Sequence, residues 1–191
     1  MNRLMADVEK IFPHETGSWC NDYINTIHYS DKCLGDFIRA LEKMPWYENT
    51  LVIITGDHGQ ECSDRQEYNS AERHHIAFLL TGGALKDEFK GKTMDRIESQ
   101  VDFTSSLLSQ LNLPTGEYHW SKNIFNPSSK QFAFYSFDDG FGWVDDSGDV
   151  IYDNKMQKVL GNSLPASSGE VKSGKAYLQL LMDEYISFSG K

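Results

Sequence analysis

The chain has 191 residues and 21.8 kDa, and 39% hydrophobic with 13% aromatic content excludes wholesale disorder in favour of one packed domain with room for a small appendage. Eighteen basic against 28 acidic residues leave a net charge of −10, a field that repels phosphate backbones and anionic bilayers, so neither nucleic acid nor membrane is an expected partner. The longest apolar runs, Leu51–Ile54 and Ile76–Leu80, are too short to span a bilayer, no signal-peptide pattern opens the chain, and three cysteines (Cys20, Cys33, Cys62) without a CxxC pair exclude a zinc-finger or disulfide-knotted scaffold. One disulfide with a spare thiol remains open beside the plainer reading of three unpaired thiols.

Residues 1–18 are polar and broken by Pro13 and Gly17, and read as a loosely organised lead-in. From Trp19 the pattern becomes helical: Ile24, Ile27, Leu34, Ile38 and Leu41 share one face of a 3.6-residue period, and Asp31 falls on that same stripe. Pro45 ends the helix. Leu51–Ile54 is a continuous β-branched run without alternation, which predicts a strand buried on both faces, the habit of parallel sheets under helices. A charged loop from Gly59 to about Arg73 precedes a second buried strand, Ile76–Leu80, closed by Gly82-Gly83. A helix is expected over Ser99–Leu111, with Pro114 behind it.

The tail changes character. Phe132–Phe137 and Phe141–Val144 around Asp138-Asp139-Gly140 predict a hairpin. Val150–Tyr152 and Gln157–Leu160 follow as short strands. Residues 161–169 form a Gly/Ser/Pro-rich linker, and an amphipathic helix spans Val171–Phe188. There is no internal repeat. The architecture is α/β with a small antiparallel β appendage near the C-terminus, expected as residues 1–125 and a region 126–191 packed on the same domain.

Thr55-Gly56-Asp57-His58-Gly59 directly follows the first strand. Ligands gather at the carboxyl ends of strands in open α/β sheets, and an Asp-His pair there offers a carboxylate oxygen and an imidazole nitrogen to a divalent cation. Glycine on each side lets the backbone turn tightly. The competing reading is that Asp57 caps a turn and His58 lies on the surface. His74 and His75 start the second strand; adjacent strand residues face opposite ways, so at most one of them can point at a shared site.

The segment YINTIHYSDKCLGDFIRALEKMPWYENTLVIITGDHG resembles the alkaline-phosphatase superfamily, specifically its sulfatase and lipoteichoic-acid-synthase-like phosphoglycerol transferase branch. The likeness continues through HHIAFLLTGGALK, SQVDFTSSLLSQLNLP, HWSKNIF and FAFYSFDDGFGWV, so it covers roughly residues 20–160 in unbroken order. It implies a partial sulfatase-like sheet flanked by helices, and a metal-dependent transfer of phosphodiester (phosphoglycerol) or sulfate esters through a Ser or Thr nucleophile. Asp57 and His58 match the family's late pair of metal ligands, for Mn, Mg, Ca or Zn. The resemblance offers His75 or His74 as a further metal or substrate contact, against the reading that they only start a strand with one ring bonded to a backbone carbonyl, and Asp31, matching the Asp of the family's Y-x-D helix, sits behind the metal or is a buried carboxylate held by backbone donors. Ala77 stands where the family usually has Pro, and Gln60 where some branches carry a second His.

The same resemblance places the nucleophile and the earlier acidic ligand upstream of this chain, so the 191 residues by themselves are expected to be inert and weak in metal affinity. The intact protein would be membrane-anchored and extracytoplasmic, acting on a phospholipid-derived substrate or a sulfated glycan. The alternatives are a true sulfatase, a non-catalytic glycan-binding or regulatory module, and a cytoplasmic phosphoglycerate-mutase-like enzyme that would use His75 as a ligand. Strands deprived of neighbours favour self-association, which light scattering at high concentration checks. The remaining features read plainly. Asp145–Asp149 lacks the spaced ligands of a calcium loop, Gly82-Gly83 lacks the Lys-Ser/Thr of a phosphate loop, and Tyr135, Phe137, Phe141 and Trp143 form core rather than a sugar-stacking face.

Overall fold

The computed structural model describes residues 19–59, 67–160 and 169–189, which fall into two compact units. The lead-in, the linker 161–168 and Cys62 lie outside the described residues. The first unit comprises the described residues up to 67 together with 75–92; the second comprises 68–74 and the described residues from 93 onward.

In the first unit, helix α1 (Trp19–Leu41) forms where the 3.6-residue pattern placed it. Lys32, Asp36 and Arg39 tie its outer face by i,i+4 and i,i+3 pairs, each 2.7 Å long and exposed, which contribute little to stability. Leu34, Ile38 and Leu41 are half-buried, whereas Ile27 and Phe37 are about half exposed. Cys33 is an exposed free thiol. The chain then turns through a single 3-10 turn, Tyr47–Asn49, into β1 (Val52–Thr55).

β1 pairs antiparallel with β2 (Phe78–Thr81), in the register Val52↔Thr81 to Thr55↔Phe78. The apolar runs predicted strands enclosed on both faces in a parallel sheet, and here the structure corrects the prediction. The pair is antiparallel, β1 is only half-buried, and in β2 Phe78 and Leu79 are 39% and 54% exposed. The reason is geometric: among the described residues neither outer edge has a further strand to enclose the pair. Gly82 is needed where it stands. Its φ is +111°, and a Cβ there would collide with the Thr50 carbonyl oxygen as the chain leaves β2.

The second unit begins with a single helical turn, α2 (Ala71–His74), within what the sequence suggested was loop. Helix α3 (Phe103–Gln110) follows the 3-10 turn Gln100–Asp102, whose start is capped by the Ser99 N–H donating to the Asp102 carboxylate at 2.8 Å. β3 (Phe132–Phe137), β4 (Gly140–Asp145), β5 (Gly148–Asp153) and β6 (Lys158–Leu160) form an antiparallel meander in chain order. Phe137↔Gly140 closes the first hairpin around Asp138-Asp139, as the turn residues predicted.

Helix α4 (Gly169–Ser189) lies on this sheet. Phe141 and Val150 are fully buried, with Tyr152, Trp143 and Val171 closing the core. Phe132 stacks on Trp143 at 4.5 Å between ring centroids, so Phe141 and Trp143 are core as expected, whereas Tyr135 and Phe137 are half-buried on the other face of β3 and outside that cluster. Gly174 lets α4 approach: a Cβ there would run into the Phe141 ring.

Candidate metal centre

β1 ends at Thr55, and the next residues turn away from the sheet while one link is kept: the Gly56 N–H donates to the Ala77 carbonyl at 3.1 Å. A Cβ on Gly56 would meet only ordinary contacts with Ile76 and the His58 carbonyl, so the turn does not depend on glycine at that position. Asp57 and His58 project into solvent, their side chains 92% and 71% exposed. The Asp57 Oδ1 accepts the His58 backbone N–H at 3.0 Å, a short side-chain turn that fixes the carboxylate.

The His58 ring is oriented by the next residue. Its Nδ1 lies 2.9 Å from the Gly59 carbonyl oxygen. A carbonyl only accepts, so the contact assigns a proton to Nδ1, and in the neutral ring Nε2 is then the nitrogen able to ligate. Nε2 is 3.8 Å from the Asp57 Oδ2. That is too long for a hydrogen bond, and within the reach of two ligands of one cation. A backbone carbonyl on the far ring nitrogen is the arrangement that fixes a metal-ligating imidazole. The donor chemistry therefore suits a divalent cation, but as a pair: among the described residues no group of three or more His, Cys, Asp or Glu side chains stands close enough to hold a metal.

The other sequence candidates are placed as follows. His75 is exposed in the short stretch between α2 and β2. His74 belongs to the second unit, where its ring stacks on Tyr135 (3.9 Å between centroids, 15° between planes) and its Nδ1 lies 2.9 Å from the Ser70 carbonyl oxygen. Burial pushes the Tyr135 phenol well above its ordinary range, and its hydroxyl donates to the Asn69 carbonyl. Asp31 is exposed on α1, not a buried carboxylate. It borders a cavity of about 450 Å³ together with Leu34, Ile38 and Ile54, a space between helix and strand that is only partly filled.

Sequence reasoning passed over a second polar cluster. Asp102 is fully buried and accepts the Lys122 ammonium at 2.6 Å and the Lys122 backbone N–H at 2.8 Å. Glu98, its side chain 15% exposed, accepts the Arg96 guanidinium at 3.0 Å. Burial raises the Glu98 carboxyl above the usual glutamate value, with the Arg96 hydrogen bond pulling the other way. The spacing of Ser99 and Asp102 is a helix-start signature that could have flagged Asp102 as a cap; nothing local could have flagged Lys122.

Residues 3–113 match the family model described as Sulfatase. The lipoteichoic acid synthase-like YvgJ of Bacillus subtilis is 23% identical over 127 residues, 59% of this chain and 20% of that protein. Phosphoglycerol transferase I of Salmonella typhi is 26% identical over 86 residues (43% and 11%), and arylsulfatase K of Canis lupus familiaris 25% over 107 residues (54% and 19%). A crystal structure of a protein in the alkaline phosphatase superfamily from Vibrio parahaemolyticus shares the fold at a TM-score of 0.57 and 21% identity, over 81% of this chain and 41% of that one. The chain thus spans a fifth or less of the length of these curated relatives.

Proposed function

Because the chain belongs to the sulfatase family, we propose that it supplies the late metal-ligand pair of a hydrolase or transferase acting on phosphodiester (phosphoglycerol) or sulfate esters. The observation that carries this is the placement of the two side chains: the His58 Nδ1 lies 2.9 Å from the Gly59 carbonyl oxygen, and its Nε2 stands 3.8 Å from the Asp57 Oδ2 just behind β1. A divalent cation, when bound, neutralises charge on ester oxygens and lowers the pKa of a hydroxyl nucleophile. Asp57 contributes the negative charge of the ligand pair, and His58 contributes direction, because the Gly59 carbonyl orients its ring. Thr55 does not match the family's nucleophile, and the resemblance places that Ser or Thr upstream of the pair.

The parent protein works outside the cytoplasm, anchored in the membrane; among the described residues no helix is long and apolar enough to cross one. The likeness to an arylsulfatase supports the second reading, a true sulfatase. Calorimetric titration of Mn²⁺, Mg²⁺, Ca²⁺ and Zn²⁺ into the chain and into an Asp57→Asn/His58→Ala double variant tests the pair. Weak binding, about 10⁻⁴–10⁻³ M, that vanishes in the double variant is expected, because water must fill the other positions. Binding unchanged in the double variant removes the metal assignment. Ester hydrolysis by the chain alone that is lost in Asp57→Ala overturns its dependence on an outside nucleophile.

A further inference from the structure

Helix α1 is apolar over more of its circumference than one covering layer requires. Leu34, Ile38 and Leu41 are half-buried, and Leu34 and Ile38 border one cavity with Ile54 and Thr81, so that face looks toward the strands. A second stripe keeps the same helical spacing about a third of a turn away: Tyr29, Cys33, Phe37 and Ala40, at steps of four, four and three. All four are exposed, Tyr29 by 55% and Phe37 by 54%. Single apolar residues on a surface need no partner, but a row of them along one helix face forms a ridge that another helix can pack against. Lys32, Asp36 and Arg39 border the row, and the pairs they make within the helix leave their side chains 59%, 55% and 64% exposed.

The pattern of the row decides what fits it. In a two-fold pairing residue i meets residue j and j meets i, and for antiparallel helices the sum of the two numbers stays constant. Setting Tyr29 against the partner's Ala40 puts a bulky side chain on the smallest one of the row. The same alignment sets Phe37 opposite the partner's Cys33 and Lys32 opposite the partner's Asp36, each to within about one residue of helical rise. Large side chains then meet small ones, and ammonium meets carboxylate on both sides of the axis. Parallel pairing would instead set Tyr29 on Tyr29 and Phe37 on Phe37 with a gap at Ala40, a poorer fit at interaxial distances of about 8–10 Å. Lys32 and Asp36 keep the pair made within their own helix, so the charges form a network, which contributes more than an isolated exposed pair.

We propose that this outer row of α1 is a homodimer contact, two copies of the chain pairing antiparallel through Tyr29, Cys33, Phe37 and Ala40, with Lys32 on the partner's Asp36. The contact requires neither Asp57 nor His58, and it is separate from the open strand edges, which would associate through backbone groups. Two half-exposed aromatics per copy remove only a few hundred Å² from each side, so the dimer is weak, with a dissociation constant of about 10⁻⁵–10⁻³ M. The test is sedimentation equilibrium of the chain across that concentration range, with circular dichroism confirming that each variant keeps its helix. Phe37→Glu, at an exposed position, is expected to weaken the dimer at least about tenfold. Lys32→Glu sets carboxylates together across the axis and weakens it about threefold or more, whereas Lys32→Glu/Asp36→Lys restores both the pair within the helix and the pair across the axis and recovers the parent's affinity. On a Cys20→Ser/Cys62→Ser background a short bis-maleimide joins the two copies through Cys33, because the two thiols stand only about three residues of rise apart, and Cys33→Ser abolishes that product. A chain that stays monomeric throughout, a dimer that survives Phe37→Glu, or a charge swap no better than Lys32→Glu alone would overturn the proposal.

Discussion

The two units invest their apolar residues differently. In the second, one helix covers a four-stranded sheet, and Phe141 and Val150 are sealed from water. In the first, two strands have no further neighbour among the described residues, and Phe78, Leu79, Ile27 and Phe37 remain 39–54% exposed. The lesson is that an apolar run states what a strand requires, whereas the number of neighbouring layers decides whether it is enclosed. The Asp57-His58 pair stands on the unit with less cover, and the buried charges stand on the other.

The sharpest way to break this comparison is a pair of truncations. Phe141→Ala should cost about 3–5 kcal/mol in urea unfolding, since it empties a sealed core, while Leu79→Ala should cost less than about 1 kcal/mol. Equal losses would mean that the first unit is as consolidated as the second. Next in size is Gly82→Ala, which forces a side chain into a left-handed conformation and against the Thr50 carbonyl; about 1–3 kcal/mol is expected. A negligible loss would show that the 48–50 segment yields freely.

The smallest effect concerns Glu98. Its carboxyl is raised by burial, so the folded chain holds that proton more readily than the unfolded chain, and stability falls as pH rises from the ordinary value of 4.5 through the raised one. Glu98→Gln removes this slope. Thermal melts at about pH 4 and about pH 7 should show the variant gaining on the parent at the higher pH. A variant that loses more at about pH 7 than at about pH 4 would show that the ionised Glu98 is held favourably by Arg96 and Lys122.

Local signals carried most of the fold. The stripe from Ile24 to Leu41 placed α1, and Asp138-Asp139-Gly140 placed the first hairpin, because helix period and turn chemistry are encoded within a few residues. The position of Asp57 and His58 directly behind β1 was legible for the same reason: strand and turn are contiguous. The exposure of β2 and its antiparallel pairing with β1 were not legible, since both depend on what lies beside the sheet. Nor was the Asp102–Lys122 pair, whose members are 20 residues apart, or the seat of Trp120 on Glu184, 64 residues away. A lysine reads as solvated surface until its distant carboxylate is known.

In the meander, spatial order and chain order coincide, and that has a kinetic consequence. Each strand pairs with the one just synthesised, so the sheet can zip from the Asp138-Asp139 turn with little loop-closure entropy. Its cover arrives last, because Val171 and Gly174 come from α4, which follows all four strands. A nascent chain therefore passes through an interval in which a formed sheet presents Phe141 to water. The time the ribosome needs to add α4 sets how long that sticky face is available to chaperones or to another nascent chain.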